Sequence, residues 1–428
     1  MSSRILPTPN ECTAGSAIGP IPNALPAICV LKWGGLGSVI TTRPMLDALR
    51  AAFGRTHRIV YVTSTVNAPL VARMGLTDQV FVLNPDGCTT ASLFRMRSRL
   101  RQAGVTIFLD LQIHTHRRLA SIVARLSGAK ERFGFFRPRE RPLAADFAIY
   151  ANPFAPLDRL YLAMAHRLGA SLPVGRARAD SLEIGVAERN EAQALLQGWL
   201  PGSAKLLIIN PNASPNAYVR RWPLSSHAET CSILLRKIPG LRVLLIGSQA
   251  ETDYVAELAR LLAGAGNRVK NVAGLTSLGA LLALLQRADC LLSVDSGPLH
   301  LGVALDVPVV GLFGPVHPDH NARLGRSARK IILYQPVLCS PCVHQVEIPP
   351  CQGENICMKS INPDNVANAC YSLIVAEPAA SRQIEQEWHF SPSESQPPRN
   401  NRFYDGAMGT GASPAEDTST PMTYAAFP

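Results

Sequence analysis

Leu291–Gly311 reads LLSVDSGPLHLGVALDVPVVG, and its first half has the form of a buried strand running into a helix. The apolar run Cys290–Val294 ends at Asp295 and Ser296, both good helix N-caps. Gly297 lets backbone approach closely. Pro298 suits a first helical turn, where its missing N–H would be unpaired anyway. A helix N-terminus presents unpaired N–H groups and a partial positive charge, which suits a diphosphate. His300 follows one turn in, near the same anion. Taken alone, the stretch reads equally well as an ordinary capped helix carrying a core histidine.

Outward from this segment, apolar strand-like runs alternate with amphipathic stretches. ICVLKW, RIVYVT, QVFVLN and VTIFLDL have the continuous hydrophobicity of strands buried on both faces of a parallel sheet. After a break near Pro201–Ser203 the series restarts with KLLIINP, RVLLIGS, VKNVAG, CLLSVD and VVGLFG. Two such series predict an α/β protein with two doubly wound, Rossmann-like domains, 27–200 and 201–377, facing one another across a cleft. Residues 1–26 and 378–428 are rich in Pro, Gly, Ala and Ser without periodicity, and read as a flexible leader and a disordered tail. The helical stretch Pro363–Val375 could cross back to the first domain.

Ligands on such sheets bind beyond the carboxyl ends of the strands. After KLLIINP come Asn212-Ala213-Ser214 and then Arg220-Arg221-Trp222-Pro223, a hydroxyl-bearing loop followed by cations suited to phosphate oxygens. After RVLLIGS come Gly247 and Glu251. An acid in that place can accept hydrogen bonds from ribose hydroxyls, or can simply stabilise a helix dipole. VVGLFGP closes onto the turn Gly314-Pro315. Four such loops on one sheet favour the diphosphate reading of Asp295–His300.

The net charge of +11 calls for a polyanionic neighbour: nucleic acid, an anionic membrane face, or phosphorylated substrates. Arginines cluster at Arg95, Arg97, Arg99 and Arg101 and at Arg137, Arg139 and Arg141, for which solvated surface is the plainer reading. Sparse aromatics and the lack of a recognised binding module argue against nucleic acid. No apolar run reaches the roughly 18 to 20 residues that span a bilayer, and no secretory signal is visible, so a cytoplasmic location is expected. Of the cysteines, Cys29 and Cys290 sit in strand-like runs as small hydrophobes. Cys339, Cys342, Cys351 and Cys357 instead have metal-ligand spacing for a tetrahedral thiolate site, structural in role; free thiols or a labile disulfide are the alternatives.

In order along the chain, N-x-S, RRWP, GSQAE and VAGLTSLGALLALLQRADCLLSVDSGPLHLGVALDVPVVGLFGP resemble the bacterial glycosyltransferase family 9, the ADP-heptose:lipopolysaccharide heptosyltransferases. The resemblance extends upstream through LKWGGLGSVITTRPMLDALR and FLDLQIHTHRRLASIVARLSGAKERFGF, and covers nearly all of residues 27–370. It implies a GT-B fold, an inverting mechanism that requires no cofactor, and an ADP-heptose donor held by the second domain. Ser214, Arg220, Asp295, Ser296, Gly297 and His300 would line the diphosphate and sugar, with Gly37 and Gly247 beside them and Glu251 near the ribose. The implied acceptor is the lipopolysaccharide core, met at an anionic membrane surface. The related autotransporter heptosyltransferases resemble this chain in a four-cysteine iron site, so the cysteine cluster implies structural zinc or iron, and a protein acceptor as the alternative.

One departure stands out. The family's first loop usually ends Gly-Asp, and that aspartate is the favoured general base; here the loop is Gly34-Gly35-Leu36-Gly37-Ser38. A serine hydroxyl is no base near neutral pH without its own activator. Asp110, which closes VTIFLDL, is the expected substitute, although a structural cap of the next segment is an equal reading of it. His114 and His116 are alternatives. A non-catalytic sugar-nucleotide-binding protein is the remaining reading.

Overall fold

The computed structural model describes residues 25–137, 144–152, 155–171, 182–213, 215–321, 329–343, 346 and 349–375. The expected leader up to residue 24, the whole expected tail, Arg139, Arg141 and Ser214 lie outside the described residues. The strands are β1 (Ala27–Leu31), β2 (Arg58–Thr63), β3 (Gln79–Val82), β4 (Val105–Asp110), β5 (Glu131–Phe136) and β6 (Phe147–Tyr150) in a first lobe. A second lobe holds β7 (Lys205–Asn210), β8 (Leu241–Leu245), β9 (Val269–Asn271), β10 (Cys290–Val294), β11 (Val309–Phe313) and β12 (Lys330–Tyr334).

The sheets run β3-β2-β1-β4-β5-β6 and β12-β11-β10-β7-β8-β9, with every neighbouring pair parallel. Counted from each lobe's own first strand, both follow the order 3-2-1-4-5-6. That order reverses direction between the first and fourth strands and opens a crevice at their carboxyl ends. In this chain the two crevices lie beyond β1 and β4, and beyond β7 and β10. The arrangement is the GT-B fold that the resemblance implies.

Burial explains the continuous hydrophobicity of the central strands. Every residue of β1, β2, β10 and β11 is buried. In β1, Ile28 and Val30 pack beneath the helices Arg43–Phe53 and Leu157–Arg167. Ala27, Cys29 and Leu31 face the other layer, where Met96, Leu100, Ala120 and Val123 come down from the helices Thr90–Gln102 and Arg117–Leu126.

Two expectations need correction. The helix Pro363–Val375 does not cross to the first lobe: Val366, Ala367, Cys370, Leu373 and Ile374 are built into the second lobe's core with Leu234, Leu292 and Val310. The second lobe also begins before residue 201. The helix Val186–Leu196 packs on the helix Leu278–Arg287, and the Glu191 carboxylate accepts from the amide and hydroxyl of Ser277 at its N-cap (3.0 and 2.8 Å). Trp199 Nε1 donates to the Asn267 carbonyl (2.6 Å). Pro201–Ser203 is thus a turn within a lobe; Pro and Gly mark turns, not domain edges as such.

The lobes meet where the short helix Leu36–Ile40 touches the helix Gly297–Ala304. A methyl group on Gly37 would lie 2.4 Å from His300 Cδ2, and one on Gly297 would lie 3.2 Å from Leu36 Cβ. Both glycines are therefore fixed by close approach.

Candidate active site

The crevice of the second lobe is lined by the ends of β7 and β10. Asp295, at the end of β10, is almost fully buried, and its two oxygens serve different partners. Arg220 Nη1 stands 3.3 Å from Oδ2, and His300 Nε2 stands 3.3 Å from Oδ1. A carboxylate is an acceptor only, so the His300 proton must sit on Nε2. Arg220 and His300 are thereby both held by one buried carboxyl, which precedes the helix Gly297–Ala304.

Ser296 occupies the N-cap position of that helix, as its sequence predicts, yet its side chain does not cap it. Asn210 Nδ2 donates to Ser296 Oγ (2.7 Å), and Ser296 Oγ–H donates to the Val294 carbonyl (3.1 Å). With the hydroxyl drawn inward, the first-turn amides keep their hydrogens for another acceptor. Asn210, the last residue of β7, holds this arrangement together, since it also donates to Ser293 Oγ (3.0 Å). A polar residue ending an apolar strand was its only mark in the sequence. His320 was missed as well. Burial holds it toward the neutral form, the Ala155 carbonyl and Asp295 oppose that, and Arg220 and His317 add to it. Gly247 is a packing glycine: a methyl there would strike Asn212 Nδ2 at 2.8 Å and Val255 Cγ2 at 2.9 Å.

The crevice of the first lobe pairs an acid with a base. Leu31 of β1 is in register with Asp110 of β4, so Lys32 follows directly beside that carboxyl. Burial raises the Asp110 pKa to about 7, against the Gln112 amide hydrogen bond (2.9 Å) and the charges of Lys32 and Arg117. Burial lowers Lys32 to about 8, with Asp110 pulling it back up. The ammonium donates to the Leu111 carbonyl (3.0 Å) and stands 5.2 Å from the centre of the Tyr161 ring. A small cavity opens beside Asp110, lined by Gln112, Arg117, Arg132 and Phe135. Lys32 went unremarked in the sequence, because a lysine after a strand usually points to solvent.

Other expected site residues have other partners. Ser38 Oγ–H donates to the Gly35 carbonyl (3.0 Å) and serves the turn that opens its own helix. Glu251 Oε2 accepts from the Ser248 amide and hydroxyl, both at 2.8 Å, which is a capping box. His114 Nδ1 stands 3.4 Å from Arg137 Nη1, and His116 stands edge-on to Trp33 at a left-handed position before its helix.

The four crowded cysteines share one neighbourhood. Burial and then the Cys342, Cys339 and Cys351 thiols push Cys357 up to about 11. Among the described residues, however, no three His, Cys, Asp or Glu side chains stand where they could hold a metal ion. The loop also clasps the second crevice. Ser340 Oγ donates to the Gly314 carbonyl, Cys342 N to the Pro315 carbonyl (3.0 Å), and Asn355 Nδ2 to the Arg221 carbonyl (2.7 Å).

Comparison with known proteins bears on this geometry. The model of glycosyltransferase family 9 (heptosyltransferase) matches residues 93–351. Lipooligosaccharide heptosyltransferase 2 of Campylobacter jejuni is 26% identical over 177 residues, 41% of this chain, and the match spans only 53% of that protein's length. Lipopolysaccharide heptosyltransferase 1 of Pseudomonas aeruginosa is 26% identical over 300 residues, 66% of this chain and 77% of that protein. Among solved structures, Escherichia coli ADP-heptose LPS heptosyltransferase II superposes with a TM-score of 0.62 at 18% identity, covering 81% of this chain and 98% of that one. At that identity the shared fold is the finding.

Proposed function

Because the chain belongs to glycosyltransferase family 9, we propose that it transfers a heptose, or a related sugar, from a nucleotide diphosphate to an acceptor hydroxyl with inversion at the anomeric carbon. The donor of the related E. coli protein, ADP-heptose, is the one proposed. The observation that carries this reading is the Arg220–Asp295–His300 constellation beside uncapped helix amides.

The acceptor oxygen attacks the anomeric carbon from the face opposite the diphosphate. As the new C–O bond forms, the bond to the diphosphate oxygen breaks and its electron pair leaves with the phosphate. Negative charge grows on the departing group, where preorganised donors act most strongly. Arg220 and the first-turn amides supply them, and Asp295 fixes the Arg220 side chain and the His300 ring before the donor arrives. Asp110 takes the acceptor proton, since a carboxyl with a pKa of about 7 is matched to general-base work near neutrality. Ser38 supports the turn and holds no proton in this scheme. The acceptor is the lipopolysaccharide core, with a serine-rich polypeptide as the alternative; presenting both with one donor separates the two.

The test of the donor site is thermal melting against ADP-, GDP- and UDP-sugars, because a true donor stabilises the fold by mass action. No shift with any of them sinks the proposal. A second reading, donor binding without transfer, is favoured by the engaged Ser38 hydroxyl; it would be marked by stabilisation without turnover on either acceptor. Zinc or iron at Cys339, Cys342, Cys351 and Cys357 would require the thiols to draw closer than they stand, and no step of transfer runs through it. Elemental analysis finding neither metal in stoichiometric amount removes that idea.

A further inference from the structure

We propose that the outer faces of the helices Thr90–Gln102 and Arg117–Leu126 together form a docking surface for an anionic lipid bilayer. The two helices pack side by side over the first sheet, and Arg101 Cγ lies 3.6 Å from where a side chain on Gly128 would begin. Their inner faces are used up by the core. Met96, Leu100, Ala120, Val123 and Ala124 are buried, which leaves the opposite stripes to solvent.

Those stripes have one sign of charge. Apart from the inward-turned Arg117, the two helices carry six arginines (95, 97, 99, 101, 118 and 125) and no aspartate or glutamate. An ordinary solvated face mixes both signs. Phe94 is 66% exposed and shares its face with Arg97 and Arg101, three and seven residues on. On the neighbouring helix Ile122 is 45% exposed, with Arg118 four residues before it and Arg125 three after. Bulky apolar side chains ringed by arginines suit the headgroup boundary of a membrane, where cations meet lipid phosphates and apolar groups enter the acyl layer. Against nucleic acid the same apolar groups would gain nothing from the phosphates.

The placement also fits the chemistry. Arg117, which opens the second helix, turns inward to the Phe135 carbonyl (3.2 Å) and lines the cavity beside Asp110. A bilayer on this face would therefore lie alongside the crevice that is to receive the acceptor.

The test is flotation of the full chain with vesicles of phosphatidylcholine alone or mixed with phosphatidylglycerol, at low and high salt. It needs neither donor nor acceptor, so it stands apart from the proposed transfer. Binding to the mixed vesicles and release by salt are expected. Each arginine lost near such a surface lowers partitioning about fivefold, so R95E/R99E should bind at least about twentyfold less. Phe94→Ser should weaken binding and leave its salt dependence intact. If the charge-reversed protein melts early, R95Q/R99Q gives the same readout. The proposal falls if the native chain ignores phosphatidylglycerol, if the arginine variants float as well as it does, or if duplex DNA is bound and vesicles are not.

Discussion

In the proposed transfer Asp110 is the general base. Asp110→Asn keeps the shape and removes the base, and turnover with donor and acceptor saturating is expected to fall about 10²- to 10⁴-fold. In the native enzyme the rate should climb as pH rises through about 7, where Asp110 ionises. Full activity in the asparagine variant would return the base to the unassigned. The same raised pKa fixes a sign for stability. A carboxyl held protonated by the fold contributes most below its unfolded pKa, near 4, and that contribution is lost as pH rises through about 7. Asp110→Asn should therefore gain on the native chain in thermal melts between those values, and a gain only below them would contradict the burial argument. Gly37→Ala places a methyl against His300 and is expected to cost about 1 to 3 kcal/mol in a denaturant titration, with weaker donor binding. At this scale the sequence was readable where residue type and turn chemistry coincide, as at Asp295, Gly297 and His300. Asn210, Lys32 and His320 escaped it because their roles depend on what neighbouring strands bring alongside, and no local spacing encodes that.

Among elements, the central strands β1, β2, β10 and β11 stand out as apolar runs because both their faces are covered. Strands β6 and β12 close sheet edges and are only partly buried, so their sequences carry no such clear signal. The β5 segment ERFGFF is broken by charge and glycine and is equally hard to see. The helix Gly297–Ala304 could be foreseen, but the inward turn of its N-cap serine could not, since it depends on the amide of Asn210 in another strand. The contacts of the Cys-rich loop with Gly314, Pro315 and Arg221 could not be foreseen from its composition. Asn355, held left-handed at φ 55°, ties that loop to the carbonyl of Arg221, next to Arg220, the cation paired with Asp295. Asn355→Gly keeps the backbone conformation and removes the tie. A lost hydrogen bond of about 1 kcal/mol predicts a several-fold rise in donor KM with kcat little changed. An unaltered KM would mean that the clasp does not reach the donor.

For the whole molecule, two successive βα series were enough to predict two lobes, because each series must close its own parallel sheet. The lobe boundary was not legible in the same way, since the helix Val186–Leu196 belongs by packing to the second lobe. Thiol chemistry gives a global check of the packing. Cys29, Cys231 and Cys370 are sealed in the cores, and burial pushes their thiols upward. Burial also acts to raise Cys351, but hydrogen bonds from the Asn355, Gly353 and Ile356 amides outweigh it and bring this thiol down. Brief alkylation of the native protein near neutral pH, read by peptide mass spectrometry, should label Cys351 early and those three only after denaturation. Early labelling of Cys29 would be incompatible with the first sheet as described.

The contact of Gly37 with His300 couples two chemistries that stand on different lobes. His300 belongs to the proposed donor site, and the loop that carries Gly37 follows Lys32, the cation beside Asp110. If a bound donor displaces the imidazole and the displacement reaches Lys32, donor site and titrating carboxyl are coupled. Thermodynamic reciprocity then requires that donor occupancy and the proton affinity of Asp110 change each other by one and the same factor. Measured across neutrality, donor affinity should then follow the ionisation of a carboxyl on the opposite lobe.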